Sequence, residues 1–334
     1  MTEEEGVAPQ PLEPVTNRIL HVFRGRRWIW ILLWSALPMV SPFIFSTAVR
    51  ATGRPFGTDA FLDAFPTQVG LSWACLMLLW GCGRLSVDAA TTRDDLMRAA
   101  PAQVPDRLFA AMARTDGPIL LTVVVTAITV ADNSTAYGPV PPLTTLLLFL
   151  AYMLPIMTFV WVYVAILTDI NRLGELPVVL DRFPQDRTMG LGRVGSLAST
   201  GLGLLLVAAV PVALAGSDQP ITLAISLTLV IGVVGIYALS MWRLHRQMAT
   251  AKDAYVATAR RLYAEAYAPI RERPEIKTLD ASSSALSVAQ SLDERAAGLP
   301  TWPIDEGTAR FVAVIITGVV TSLIVRALFA AIGF

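Results

Sequence analysis

The chain has 334 residues and a mass of 36.0 kDa, with a mean hydropathy of +0.57, 54% hydrophobic residues and 16% charged ones. Soluble chains carry about 25% charged residues, so this composition excludes most soluble folds. Lys plus Arg and Asp plus Glu stand at 26 each, which leaves no net charge to attract nucleic acid.

The charges are segregated. Segments 28–49, 67–83, 117–131, 143–168, 195–215, 221–242 and 308–334 contain only Arg310 and Arg326. Each reads as a helix crossing about 30 Å of hydrocarbon, because a closed barrel would show alternating strands instead. The expected fold is all-α: a polytopic bundle of seven transmembrane helices, N-terminus in and C-terminus out.

The N-terminal tail, 1–27, is polar and proline-broken and ends in Arg24, Arg26 and Arg27 before the first apolar run, the pattern of a retained first span rather than a cleaved signal. Seven crossings place 23 basic residues in the cytoplasm and only Arg50 and Arg54 outside, as the positive-inside rule requires. Removing the shortest span, 117–131, would move Arg172, Arg182, Arg187 and Arg193 outside, against that rule. Pro38, Pro42, Pro155 and Pro211 fall in or near spans, where proline permits kinks. The outer loops are short, and Asp59 to Phe65 is expected to lie on the membrane surface.

Cys75 and Cys82 are separated by about 10 Å along one helix, too far for a disulfide, and read as packing residues. In the third span Thr122, Thr126 and Thr129 form a stripe whose hydroxyls can bond back to carbonyls four residues earlier. The loop after the fourth span alternates Asp169, Arg172, Glu175, Asp181, Arg182, Asp186 and Arg187, a solvated surface or a dock for the helix at 243–262. In the fifth span Gly195, Ser199 and Gly203 allow close helix approach.

The segment 243–307 is the largest aqueous region. Leu244, Met248, Ala251, Tyr255, Thr258 and Leu262 follow helical spacing and continue the sixth span into the cytoplasm, to an end near Pro269 and Pro274. Asp280 and Ser282–Ser284 are expected to start a second helix, with Leu286, Ala289, Leu292 and Ala296 on one side. The two helices could form a hairpin, or the first could pair across subunits, which makes Leu244, Met248, Tyr255 and Leu262 assembly candidates. Packing on the loop 169–193 is the remaining alternative.

Trp302 suits the headgroup zone, and Asp305 and Glu306 meet the positive end of the last helix. The Trp302-Pro-Ile-Asp-Glu-Gly307 element before a terminal span resembles uncharacterised multi-pass membrane proteins of high-GC bacteria, consistent with arginine making up 24 of the 26 basic residues. That resemblance implies a multi-pass protein of the bacterial inner membrane and supplies no activity. The topology alone is also similar to the insect odorant and gustatory receptor-type channels, seven-span tetramers whose last span lines the pore. That family's Tyr and Gln-Phe have no counterpart between Thr308 and Phe334, so no functional residue transfers.

An enzyme is not expected: phosphate-binding glycine loops and hydrolase motifs are absent, and the spans contain no Asp, Glu, His or Lys. His21 and His245 are isolated, so neither metal nor cofactor is implied. Arg326 lies about 24 Å from Arg310 along the last span, near enough to the outer surface to snorkel. Alternatively it heads a polar face of Thr317, Gly318, Thr321 and Ser322 that lines a pore. The leading expectation is therefore a homo-oligomeric ion channel or pore with the last span lining the path. A non-conducting scaffold or sensor that binds a cytoplasmic partner through 243–307, and a facilitative transporter, are the alternatives. The expected partners are the lipid bilayer, further copies of the chain and a cytoplasmic protein.

Overall fold

A computed structural model describes residues 12–22, 26–51, 59–99, 104–132, 142–175, 191–215, 220–272, 276–304 and 306–332. Among them every regular element is a helix: α1 (Val15–Val22), α2 (Arg27–Ser35), α3 (Leu37–Ala51), α4 (Asp59–Ala99), α5 (Asp116–Asp132), α6 (Pro142–Leu173), α7 (Gly192–Ala215), α8 (Pro220–Glu272), α9 (Ile276–Ala297) and α10 (Glu306–Ile332), with a short 3-10 turn at Ala110–Ala113. Among the described residues four helices are long and apolar enough to cross a membrane, within α4, α6, α7 and α10. The pair α2 and α3, bent by 50° at Ala36, makes a fifth if taken as one broken span. The chain is thus a helical multi-pass membrane protein.

The centre of the bundle is built from α4, α6 and α7. Leu78 and Leu85, Phe159 and Ile166, and Leu197 and Leu202 share one buried cluster, to which α8 adds Met241 and α10 adds Val319 and Leu323. The approach of α4 to α7 depends on a missing side chain, since a Cβ at Gly70 would lie 2.9 Å from the Pro211 carbonyl oxygen. The α2–α3 pair packs on the outside of α4, and α5 packs on α6. Leu120 and Ile128 of α5 face outward, as a lipid-facing surface requires, while Thr122 and Thr126 are buried. The hydroxyls of Thr122 and Thr129 donate to the carbonyls of Pro118 and Val125, the expected back-bonds. Thr126 Oγ1 is buried without a partner among the described residues.

Several boundaries differ from the sequence expectation. The first apolar run is broken into two helices at Ala36, two residues before Pro38, rather than kinked within one helix. The second runs on through Arg84 to Ala99, because Leu85, Ala89 and Leu96 keep an apolar face on the core after the membrane stretch ends. The segment from Asp59 to Phe65 is the first part of this same helix. The tail is not wholly irregular: α1 packs under α4, burying Thr16, Asn17 and Leu20, and Asn17 Oδ1 accepts a 2.8 Å hydrogen bond from Arg27. Pro155 and Pro211 lie inside continuous α6 and α7. Both cysteines are buried and free.

The sixth apolar segment and the seam at 243–262 form one helix, α8, whose 53 residues span about 80 Å. It passes through Pro269 and ends at Glu272, just ahead of residues that lie outside the description. The second helix starts at Ile276, earlier than Asp280. It folds back along α8, with Ala289 and Ala296 buried, so the hairpin is formed within the chain. Asp181, Arg182, Asp186 and Arg187 lie outside the described residues.

Candidate functional site

Five helices enclose a cavity of about 600 Å³ in the apolar half of the bundle. Its walls are Leu71, Ala74 and Leu78 of α4, Ile156 and Val160 of α6, Leu206 and Ala208 of α7, Val230 and Val233 of α8, and Val319 of α10. The size is that of a small-molecule site.

Among the described residues, those lining it with side-chain polar atoms are Thr67, Tyr163 and Ser322. Tyr163 OH donates to the Ala198 carbonyl at 3.2 Å, and Ser322 Oγ donates to the Gly318 carbonyl at 2.7 Å. Just behind this wall, Ser199 Oγ and Tyr237 OH share a buried 2.8 Å hydrogen bond between α7 and α8. Among the described residues the lining holds no charge and few polar groups, which favours an apolar occupant over an ion or an ordered chain of water. Val164 and Ile236 also line it, yet are 48% and 54% exposed, so it opens sideways between α6 and α8.

The polar face of α10 is divided. Ser322 turns into the cavity beside Leu323, whereas Thr317, Gly318 and Thr321 are exposed, and a Cβ at Gly318 would meet nothing within 4 Å. Arg326 is half-buried near the C-terminal end. The assembly candidates separate in the same way. Leu244 and Met248 are fully buried in the chain's own core together with Leu173, Leu191 and Val194, Tyr255 is half-buried against that core, and Leu262 is exposed.

Below the cavity, the base of the bundle is clamped to the hairpin. Lys252 Nζ donates to the carbonyls of Ala297 and Leu299, each at 2.8 Å, satisfying acceptors at the C-terminal end of α9. The Trp302 ring stacks on His245 with centroids 4.4 Å apart, and His245 Nδ1 lies 2.8 Å from the Thr301 carbonyl. A carbonyl only accepts, so Nδ1 carries the proton. Across this loop Gly195 abuts the Pro303 carbonyl, leaving no room for a Cβ. The small-residue row therefore has four partners: Pro303 at Gly195, Tyr237 at Ser199, and Phe311 with Ile315 at Gly203. Glu175 pairs with Arg243, and a Cβ on Gly174 would lie 2.7 Å from the Arg243 Cβ, so the described start of the 169–193 loop does dock on α8.

A second latch holds the turn between α4 and α5. Phe109 adopts φ 62, a left-handed conformation uncommon for a side chain of its size, and its N–H donates to Asp169 Oδ2 at 2.8 Å. Trp161 Nε1 adds a 2.9 Å bond to the Ala111 carbonyl. Among the described residues no group of three or more His, Cys, Asp or Glu is placed to hold a metal.

Sequence reasoning missed the cavity and the clamp. Isolated His245 gave no sign of its stacking partner 57 positions away. No protein-family model, no curated protein and no solved structure matches the chain.

Proposed function

We propose that the chain is a non-conducting membrane sensor or scaffold that presents the α8–α9 hairpin to a cytoplasmic protein. The single observation behind this reading is the continuity of α8, which runs unbroken from the cavity wall at Val230 into the hairpin, with the clamp near its midpoint. A change in packing around the cavity would thus be transmitted along one helix. A freely hinged hairpin would not need Lys252, His245 and Gly195 to fix it to the bundle.

In this proposal the chain crosses the inner membrane of a bacterium seven times, with α2–α3 as the first span, α5 as the third and the first half of α8 as the sixth. The distribution of arginine supports an inner N-terminus and an outer C-terminus. Single cysteines replacing Ser217 and Ser283, in a background lacking Cys75 and Cys82, are expected to react with an impermeant maleimide from outside and inside, respectively. Labelling of both from one side removes the seven-span arrangement.

The second reading is a homo-oligomeric pore lined by α10, favoured by the exposure of Thr317, Gly318 and Thr321 on one face with open space at Gly318. The two readings separate in planar bilayers under a salt gradient. A sensor or scaffold gives no unitary current from folded protein. A pore gives current whose reversal potential moves in Arg326→Glu, because charge at a pore mouth sets ion preference.

A further inference from the structure

We infer that the cavity is a binding site for one unbranched acyl chain, admitted sideways from the bilayer between α6 and α8. This goes beyond the sensor reading and rests only on the membrane placement of the bundle.

A void of about 600 Å³ among close-packed helices forfeits packing on all its walls, so an occupant that restores those contacts is favoured. Water is poorly held, since the described lining offers only the hydroxyls of Thr67, Tyr163 and Ser322, and the protons of the last two are already donated to Ala198 and Gly318. A charged or strongly polar solute would be desolvated with nothing to pair with. The shape narrows the choice further. Thr67 and Leu78 are both lining residues of α4 and lie about 16 Å apart along that helix, so the space is elongated along the bundle.

The way in is set by Val164 and Ile236. Both line the cavity and both are half exposed on the surface that lipid tails cover. A flexible methylene chain passes between two such side chains, while its polar end remains outside. Occupancy would press on Val230 and Val233, two turns or less from Tyr237 and its bond to Ser199, which links the site to α8.

The test uses the full chain reconstituted in phosphatidylethanolamine vesicles that contain a trace of phospholipid with a diazirine at the end of one acyl chain. After photolysis the adducts are mapped by peptide mass spectrometry. Adducts are expected at Tyr163 and Leu206, which line the cavity but are only 3% and 2% exposed, as well as at outward-facing Trp80 and Leu239. Val164→Trp and Ile236→Trp, at positions with room for a larger ring, are expected to abolish the interior adducts and spare the exterior ones. Ala208→Phe, which fills the space from within, is expected to do the same.

A parallel arm uses the diazirine on a free fatty acid. Interior labelling by either probe, lost on blocking, sustains the site and identifies the source of the chain. Exterior adducts alone in the wild type overturn it, as do interior adducts that persist in all three blocked variants. Neither failure bears on the cysteine labelling or the bilayer currents, so the sensor reading stands or falls separately.

Discussion

Met248→Asp is expected to unfold the junction between bundle and hairpin, whereas Leu262→Asp, four turns farther along the same helix, leaves stability and particle size unchanged. Met248 has no exposed surface and belongs to the central apolar cluster with Leu173, Leu191 and Val194. The cluster it belongs to is built of apolar side chains, so an aspartate there would be either an unpaired charge or a protonated carboxyl among them. Either form costs about 3–5 kcal/mol, a large share of the stability of most domains. Leu262 is 38% exposed, and a polar group there stays solvated. Thermal unfolding in detergent, followed by tryptophan fluorescence and by size-exclusion chromatography, checks the pair. A Met248→Asp protein that keeps its melting temperature but changes its oligomeric size would place Met248 in a subunit interface instead.

This contrast also shows what one-dimensional periodicity conveys. The spacing from Leu244 to Leu262 marks a helix face, and the structure bears out that helix. It does not say what covers the face. The upper part is covered by the bundle, the middle is half-covered, and the end is open, because α6 stops at Leu173 while α8 continues. Hydropathy likewise marks where a helix leaves apolar surroundings, not where it ends. The Arg84–Asp88 pair at 2.9 Å and buried Leu85 and Ala89 carry α4 beyond the apolar run as an amphipathic helix.

The cavity was illegible for a different reason. Ala74, Ala208 and Val233 are ordinary residues of apolar spans, and a void between them depends on the tilts of five helices rather than on any local pattern. The Trp302-to-Gly307 element was visible as a motif, and the row at Gly195, Ser199 and Gly203 as a packing surface. That they meet could not be read from sequence, since more than a hundred residues separate Gly195 from Pro303.

Gly195→Val is the substitution from which the second large effect is expected: loss of about 3 kcal/mol or more, with poor recovery of folded protein. The atom that a Cβ would strike is the backbone oxygen of Pro303, which cannot rotate away as a side chain can. Lifting the Thr301–Ile304 loop off α7 is no easier. His245 stacks on Trp302 and bonds Thr301 from the α8 side, and Lys252 holds the Leu299 carbonyl, so the loop is fixed on its other face. Strain would therefore pass into α10, which follows within a few residues and packs on Gly203 through Phe311. Gly318→Ala and Gly232→Ala serve as controls. Both positions are helical with open space at the Cβ, and alanine gains up to about 1 kcal/mol of helix propensity over glycine. The measurement is melting temperature in one detergent for all three variants. A Gly195→Val protein as stable as the wild type would mean that the loop does not rest on α7, and that the clamp between bundle and hairpin is held by α8 alone.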